Sequence, residues 1–365
     1  MVRFLLKRTC GRRWGSGVAF AVVLILAVPA WSRSKETPAP LVGPQLEMDG
    51  GRRLTYEGSF SSEKELNGKR SFWKKVLDVV VGAPDYRRLV RPYSIAMDSR
   101  GRAIVTDPGA AGIHIFDFRE KKYKFLYRWD RDKDPMRTPQ CVAVDAQDNI
   151  YVTDSVSGKI FVFDANGKFR RVIGSIRGGE GYFKRPTGIA VDSAANRIYV
   201  TDTLRNKVFV LDLDGRVLKS FGMRGTGPGE FNLPTEVRLQ GDDVAVADAM
   251  NFRVQFFDRN GTYLYALGVV GDGPGQMFRP KGVAFDTEGH LYVVDAYAST
   301  VQAFNREGQL LYHFGQRGVG PGEFQLPAGL SIDRENRIFV VDSFNRRIQI
   351  FHYFGLPKQA ALVLP

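Results

Sequence analysis

The sequence predicts an all-β fold: a six-bladed β-propeller with four-stranded antiparallel blades, whose ring is closed by an N-terminal strand. A proline recurs every 46 to 48 residues, at Pro92, Pro139, Pro186, Pro234, Pro280 and Pro327. An aspartate that ends a VTD-like segment recurs with the same period, at Asp107, Asp154, Asp202, Asp248, Asp295 and Asp342. Two anchors with one period in the forties, within strand-rich copies, are typical of propeller blades.

The third copy contains the four strands of a blade in order. Residues 188–192, 197–201 and 207–212 are short apolar or alternating segments, and residues 216–221 are more polar, as expected of an outer strand. Asp214-Gly215 is a hairpin signal, as are Asn166-Gly167 and Asn260-Gly261. A phenylalanine recurs in the Gly-rich links between copies and is predicted to fill the seams between blades, at Phe183, Phe231, Phe278 and Phe324.

The two ends of the chain are predicted to meet in the last blade. The sixth copy lacks a fourth strand, and residues 75–82 (KVLDVVVG) resemble one, so we expect that segment to complete the blade and remove its exposed edge. Residues 54–60 form a candidate extra strand. The predicted organisation is a signal peptide or N-terminal anchor at 1–30, a flexible Pro-rich linker at 31–50, an extension at 51–72, the propeller at 73–352 and a C-terminal tail at 353–365.

The first thirty residues predict export. A segment with basic side chains precedes an unbroken apolar run at residues 18–28, the arrangement of a secretory signal peptide. The run is short for a membrane span, which favours a cleaved signal peptide. The alternative is an uncleaved N-terminal anchor, which would be the only predicted attachment to a membrane. We therefore expect a periplasmic or extracellular protein. Its formal net charge of +13 favours an acidic partner.

Residues 186–192 (PTGIAVD) and 344–348 (FNRRI) show the pattern of the copies most clearly. This pattern resembles the NHL repeat, and the resemblance covers about residues 73–352. The fourth copy departs from it with Gln240 in place of an aspartate, and the first departs at residues 108–112. The resemblance implies a binding platform for proteins or RNA. Similar six-bladed propellers also serve as lyases and lactonases, so the fold alone does not decide the function.

Few residues are candidates for catalysis. The four histidines, His114, His290, His313 and His352, map to second, third and fourth strands, which argues against a histidine metal site at the hub. The recurrent aspartates are predicted to accept hydrogen bonds from the following turn, with a ring of calcium ligands as the alternative. Cys141 is expected to be a buried, inert thiol. We predict no catalytic residue, no metal ligand and no cofactor; a divalent ion at the hub is kept as the alternative.

One face of the ring is the predicted binding surface. Residues that directly follow the repeated proline contribute Tyr93, Gln140, Thr187, Thr235 and Lys281. The loop after the second strand contributes Lys159, Arg205, Lys207, Asn251, Arg253, Tyr297, Asn345 and Arg346. Basic side chains among aromatic ones predict an acidic or aromatic partner. In the alternative interpretation, Asn and Arg tie these loops to a neighbouring blade.

Taken together, these patterns predict a non-catalytic, exported and monomeric scaffold that binds a protein or acidic ligand of the cell envelope. The first alternative is a propeller enzyme of the lactonase, hydrolase or lyase kind, with a metal site at the hub. The second is an RNA-binding propeller, although a nucleic acid is not expected as the partner of an exported protein.

Overall fold

Six antiparallel sheets follow one another along the chain in the computed structural model, which describes residues 43–67, 86–128, 134–176 and 181–355. The first strand of each sheet contacts the first strands of both neighbouring sheets, and the last sheet contacts the first. The sheets are therefore blades around one central axis. This architecture confirms the predicted all-β propeller of six four-stranded blades.

Each of the first five blades is a meander of four strands in chain order. Blade one contains β3 (Ser94–Met97), β4 (Ala103–Asp107), β5 (Gly112–Asp117) and β6 (Lys122–Tyr127). Blade two contains β7 (Pro139–Val144), β8 (Ile150–Asp154), β9 (Lys159–Phe163) and β10 (Phe169–Ile173). Blade three contains β11 (Pro186–Asp192), β12 (Arg197–Asp202), β13 (Lys207–Asp212) and β14 (Val217–Phe221).

Blade four contains β15 (Pro234–Gln240), β16 (Asp243–Asp248), β17 (Arg253–Phe257) and β18 (Tyr263–Leu267). Blade five contains β19 (Pro280–Phe285), β20 (Leu291–Asp295), β21 (Thr300–Phe304) and β22 (Leu310–Phe314). Second and third strands are almost wholly buried, whereas fourth strands alternate with exposed positions, as predicted for outer strands. The hairpin glycines Gly167, Gly215 and Gly261 adopt the positive φ that such turns require.

The sixth blade corrects the predicted position of the closing strand. It contains β25 (Leu330–Ile332), β26 (Arg337–Asp342) and β27 (Arg347–Phe354), and β2 (Arg53–Phe60) pairs antiparallel with β27 along its length. An N-terminal strand thus closes the ring, but it is the candidate extra strand at residues 54–60 and not the segment at residues 75–82. Residues 75–82 lie outside the described residues, and β2 occupies the position beside β27 that was predicted for them. β1 (Gln45–Glu47) adds a fifth strand at the edge.

Six hydrophobic clusters form the core, and each lies between two neighbouring blades. Three of the four predicted seam residues, Phe183, Phe231 and Phe324, are buried there. Phe278 is not: it is 40% exposed, and its neighbour Met277 is fully buried instead. Met277 lies three residues before its proline, as the other three do, so the prediction placed the aromatic residue one position too late.

The remaining described elements are short. A small parallel pair, β23 (Gln316–Arg317) with β24 (Glu323–Phe324), forms within one Gly-rich link. The short 3₁₀ helices comprise Asp49–Gly51, Glu63–Asn67, Thr203–Arg205 and Ala249–Asn251. Among the described residues, no helix has the length and apolar character needed to cross a bilayer.

Ring closure gives the first testable prediction. The side chains of Leu54 and Phe60 on β2 are buried at the seams of blade six, so truncating either one leaves a cavity. We expect Leu54→Ala and Phe60→Ala each to lower the free energy of unfolding by about 2–5 kcal/mol in urea titrations. Leu46→Ala, on the exposed edge strand β1, is the matched control and should change it by less than about 0.5 kcal/mol. Equal effects of all three would show that β2 does not close the core.

Candidate functional site: a basic cavity at the hub

The repeated aspartate determines how the chain enters each blade. All six side chains are buried, and each accepts a hydrogen bond from the backbone N–H of the residue two positions before the repeated proline. In blades one, two, three and five the carboxylate also accepts the N–H of the residue directly before the proline. Bonds to the following turn are present as predicted, for example from Val156 and Ser157 to Asp154. The entry bonds were not predicted.

These entry bonds position a set of arginines. The residue directly before the proline is Arg91 in blade one, Arg185 in blade three and Arg279 in blade five, so alternate blades each present one guanidinium group. All three side chains are exposed and line one central cavity. In blades four and six, Leu233 and Leu326 occupy the position and adopt positive φ values of 54° and 46°.

The central cavity has a volume of about 670 Å³ and opens on the face predicted to bind. It is lined by all five residues predicted directly after the proline: Tyr93, Gln140, Thr187, Thr235 and Lys281. The cavity also receives the cationic side chains Arg91, Lys184, Arg185 and Arg279. Its described lining residues include hydroxyls, an amide and cations, and no carboxylate. Such a volume suits a small molecule or a short peptide segment.

Lys281 of blade five contacts Tyr93 of blade one, although blade six lies between these two blades in the ring. That blade contributes only the small, buried Ala328 at the equivalent place, and the Lys281 ammonium lies 4.4 Å from the centre of the Tyr93 ring. Burial lowers the pKa of Lys281, Cys141 opposes this shift and the nearby cations Arg279 and Arg91 add to it, which together bring the pKa to about 8. Burial also raises the pKa of the Tyr93 phenol. Lys281 therefore titrates near neutrality.

A buried polar cluster lies on the inner strands of blades two and four. Glu236 accepts a hydrogen bond from the Cys141 thiol at 3.3 Å and pairs with Arg238 at 2.5 Å. Burial raises the pKa of Glu236, and Arg238 and Cys141 partly offset this shift. Burial raises the pKa of Cys141 too, and the neighbouring Glu236 adds to it. Cys141 is buried, as expected, and its raised pKa favours the protonated thiol.

Four of the predicted loop residues have their polar atoms bound inside the protein. Lys159 is buried and contacts Asp134 at 2.9 Å. Asn251 and Asn345 each donate to the aspartate of their own blade and to a carbonyl of the adjacent Gly-rich link. Arg253 pairs with Asp248 at 3.0 Å and donates to two link carbonyls. These contacts match the alternative interpretation, in which the loop side chains tie the blades together.

The other four predicted loop residues also lie outside the cavity lining. The guanidinium of Arg205 packs over Tyr182 and Phe209, and Tyr297 stacks on Phe278 at 4.5 Å. Lys207 begins β13, and Arg346 is an exposed turn residue with positive φ. The structure thus brings the five residues after the proline together in one cavity, whereas the eight predicted loop residues lie outside its lining.

The histidines lie where the sequence indicated: His114 and His352 on third strands, His290 next to a second strand and His313 on a fourth strand. None of them lines the cavity. Within the described part of the chain, no three His, Cys, Asp or Glu side chains come close enough to form a metal site.

Sequence reasoning missed the three arginines and Glu236. The arginines had a detectable signal, because Arg91, Arg185 and Arg279 are separated by 94 residues, two repeat periods, each time. Glu236 is the acidic residue at a first-strand position that other copies fill with Ser, Cys or Gly. Both signals lie at positions where the copies differ, whereas the repeat is recognised by positions where they agree.

Comparison with known proteins agrees with this architecture. The family model DUF5128, described as a 6-bladed beta-propeller, matches residues 139–215, 190–243 and 283–356. The chain is a six-bladed β-propeller. The comparison with curated proteins gives no match. The finer resemblance to the NHL repeat stays a prediction.

Solved propellers of several activities share the fold. A virginiamycin B lyase from Staphylococcus aureus aligns with a TM-score of 0.53 at 14% identity, covering 72% of this chain and 94% of its own. An auxiliary nutrient binding protein from Bacteroides thetaiotaomicron gives 0.57 at 12%, covering 73% and 69%. A gluconolactonase from Xanthomonas campestris gives 0.56 at 16%, covering 87% and 99%. Identities this low concern the fold, and the function must be argued from the site.

The titration of Lys281 gives a prediction for the cavity. With a pKa of about 8, Lys281 is a cation below that pH and becomes neutral above it. The affinity for an anionic probe such as citrate, which stays fully ionised, should fall several-fold between about pH 7 and pH 9. Lys281→Arg keeps its charge over this range and should flatten the profile in calorimetric titrations. A profile that is equally steep in the variant would assign the titration to another group.

Proposed function

We propose that this propeller is a binding protein whose central cavity holds an anionic ligand or an anionic part of a partner, without chemical conversion. One observation carries the proposal. Five cationic side chains line a single cavity, and none of them forms an ion pair within the described chain: Arg91, Lys184, Arg185, Arg279 and Lys281. We further infer from residues 1–30 that the ligand is met outside the cytoplasm, in the periplasm or beyond the cell.

The free energy cost of this arrangement supports a role in binding. Like charges that face one another in a cavity repel, and the lowered pKa of Lys281 comes mainly from burial, with a smaller contribution from the cations Arg279 and Arg91. An incoming anion removes the repulsion. Guanidinium groups bind carboxylates or phosphates through paired hydrogen bonds, which adds orientation to charge.

The neutral polar residues of the cavity add orienting groups. The Gln140 amide donates to the Ser155 hydroxyl of its own blade at 3.3 Å, and the Thr235 hydroxyl donates to the Lys281 carbonyl of the neighbouring blade, so both side chains are held in place. Thr187 lies in a network of hydroxyls with Thr201 and Thr203. The Gln140 amide keeps a second hydrogen that can be donated to an anion, and the fixed hydroxyls define the shape of the cavity around it, which favours selective binding over simple charge attraction.

Calorimetric titration with citrate and with hexaglutamate tests the proposal. We expect Arg91→Glu, Arg185→Glu and Arg279→Glu each to weaken both probes by about tenfold or more, because each removes an attraction and adds a repulsion. Arg334→Glu is the matched control: it is an exposed arginine beside a separate cavity formed by the turns between first and second strands, and it should leave both affinities within about twofold.

Two results would contradict this function. Failure of the wild-type protein to bind either probe would exclude an anion site in the cavity. Equal weakening by the cavity variants and by Arg334→Glu would reduce the interaction to the net charge of the protein. Rising salt should weaken specific binding moderately and weaken attraction by net charge almost completely.

A further inference from the structure

A ring of exposed apolar side chains surrounds the basic cavity. The residue two positions after the repeated aspartate is apolar in five blades: Val156, Leu204, Met250, Tyr297 and Phe344. Their exposed fractions are 62%, 47%, 39%, 62% and 49%. We call these five residues the apolar rim. In blade one the position is Gly109, where a Cβ atom would lie within 3 Å of Arg91 and Val90 side-chain atoms, so a side chain is excluded there.

The rim is continuous with the cavity. Val156, Leu204 and Met250 belong to the cavity lining itself. Tyr297 stacks on Phe278, the neighbour of Arg279, and the Phe344 ring lies 5.6 Å from the Arg91 guanidinium. The charged centre and the apolar border are therefore parts of one surface.

The fold does not require apolar residues in the rim. The turns are held by backbone bonds, such as Val156 N–H to Asp154, Tyr297 N–H to Asp295 and Phe344 N–H to the carbonyl of Gln325. Any residue type except proline makes these bonds, and a polar one would be better solvated. Apolar side chains that recur at one exposed position in five blades thus indicate a surface that is covered in use.

We propose, resting on the function proposed above, that the ligand is a protein that inserts an acidic segment into the cavity and packs apolar residues against the rim. A small anion neutralises the arginines but leaves the rim in water. Interfaces usually place apolar residues at the centre and polar ones at the border. Here the order is reversed, so the complementary surface is a projecting acidic segment flanked by apolar residues.

The position of Lys281 within the cavity favours a protein over an anionic membrane. A bilayer surface is flat on this scale and best matches cations that project outward together with apolar residues. Lys281 and the hydroxyl groups lie within the cavity, beneath the rim, where a chain segment reaches more readily than a lipid headgroup held in its layer. The test must therefore distinguish binding to vesicles from binding to a protein segment.

The test is selection from a displayed library of random dodecapeptides on the immobilised wild-type protein. We expect selected peptides to combine clustered Asp or Glu with adjacent Leu, Phe, Tyr or Trp. For a synthetic selected peptide, Tyr297→Ser combined with Phe344→Ser should weaken binding by about tenfold or more while citrate affinity stays unchanged. Val319→Ser, an apolar residue 72% exposed on a Gly-rich link outside the cavity lining, is the matched control and should leave both unchanged.

The outcomes separate this inference from the function on which it rests. If citrate binds but the selection enriches no peptide, or only peptides without acidic residues, the protein partner is excluded while the anion site stands. Rim-dependent binding to phosphatidylglycerol vesicles without peptide enrichment would replace the protein with a membrane and overturn the inference. If citrate, hexaglutamate and selected peptides all fail, the proposed function itself is wrong.

Discussion

Each blade depends on one buried carboxylate at the end of its second strand. An aspartate in the interior is costly unless hydrogen bonds satisfy its oxygens, and here backbone N–H groups of the entering chain do so. The bond that stabilises the carboxylate therefore also fixes where the next inner strand begins. Without it, the entering segment would have buried donors and no fixed direction.

The same six carboxylates have unequal surroundings. At Asp107, burial opposes ionisation, but the His114 imidazole at 3.4 Å and hydrogen bonds from two backbone N–H groups prevail and lower its pKa. At Asp248, burial prevails over the bonds from Asn232, Asn251 and Arg253 and raises its pKa. The repeat therefore conserves a geometry among its copies, while the local charge differs from blade to blade.

The fold was predictable because its signals recur: a proline and an aspartate repeat six times, turn glycines recur in blades two to five, and periodicity averages out local ambiguity. The closing strand was not, because it occurs once. Residues 75–82 and 53–60 both have strand-like patterns, and only pairing with β27 distinguishes them. Part of the site was also predictable, because it lies at a position that recurs in every blade. Residues after the proline share a position and so share a cavity, but whether Asn251 or Arg253 faces solvent or a link depends on loop contacts that the sequence does not state.

The positions of the repeat fall into two groups, those that hold the blade together and those that a ligand can reach. Positions that hold the blade, such as the aspartate and the Asn and Arg that bind the links, have their polar atoms occupied and are unavailable to a ligand. The side chains directly before and after the proline differ from blade to blade, as do those two positions after the aspartate, where blade one is restricted to glycine. Arginine at the first of these, varied polar groups at the second and apolar groups at the third are therefore choices that the fold leaves open. When free positions in separate blades converge on one charge sign in a cavity and on one apolar border around it, the simplest physical account is selection by a common ligand surface.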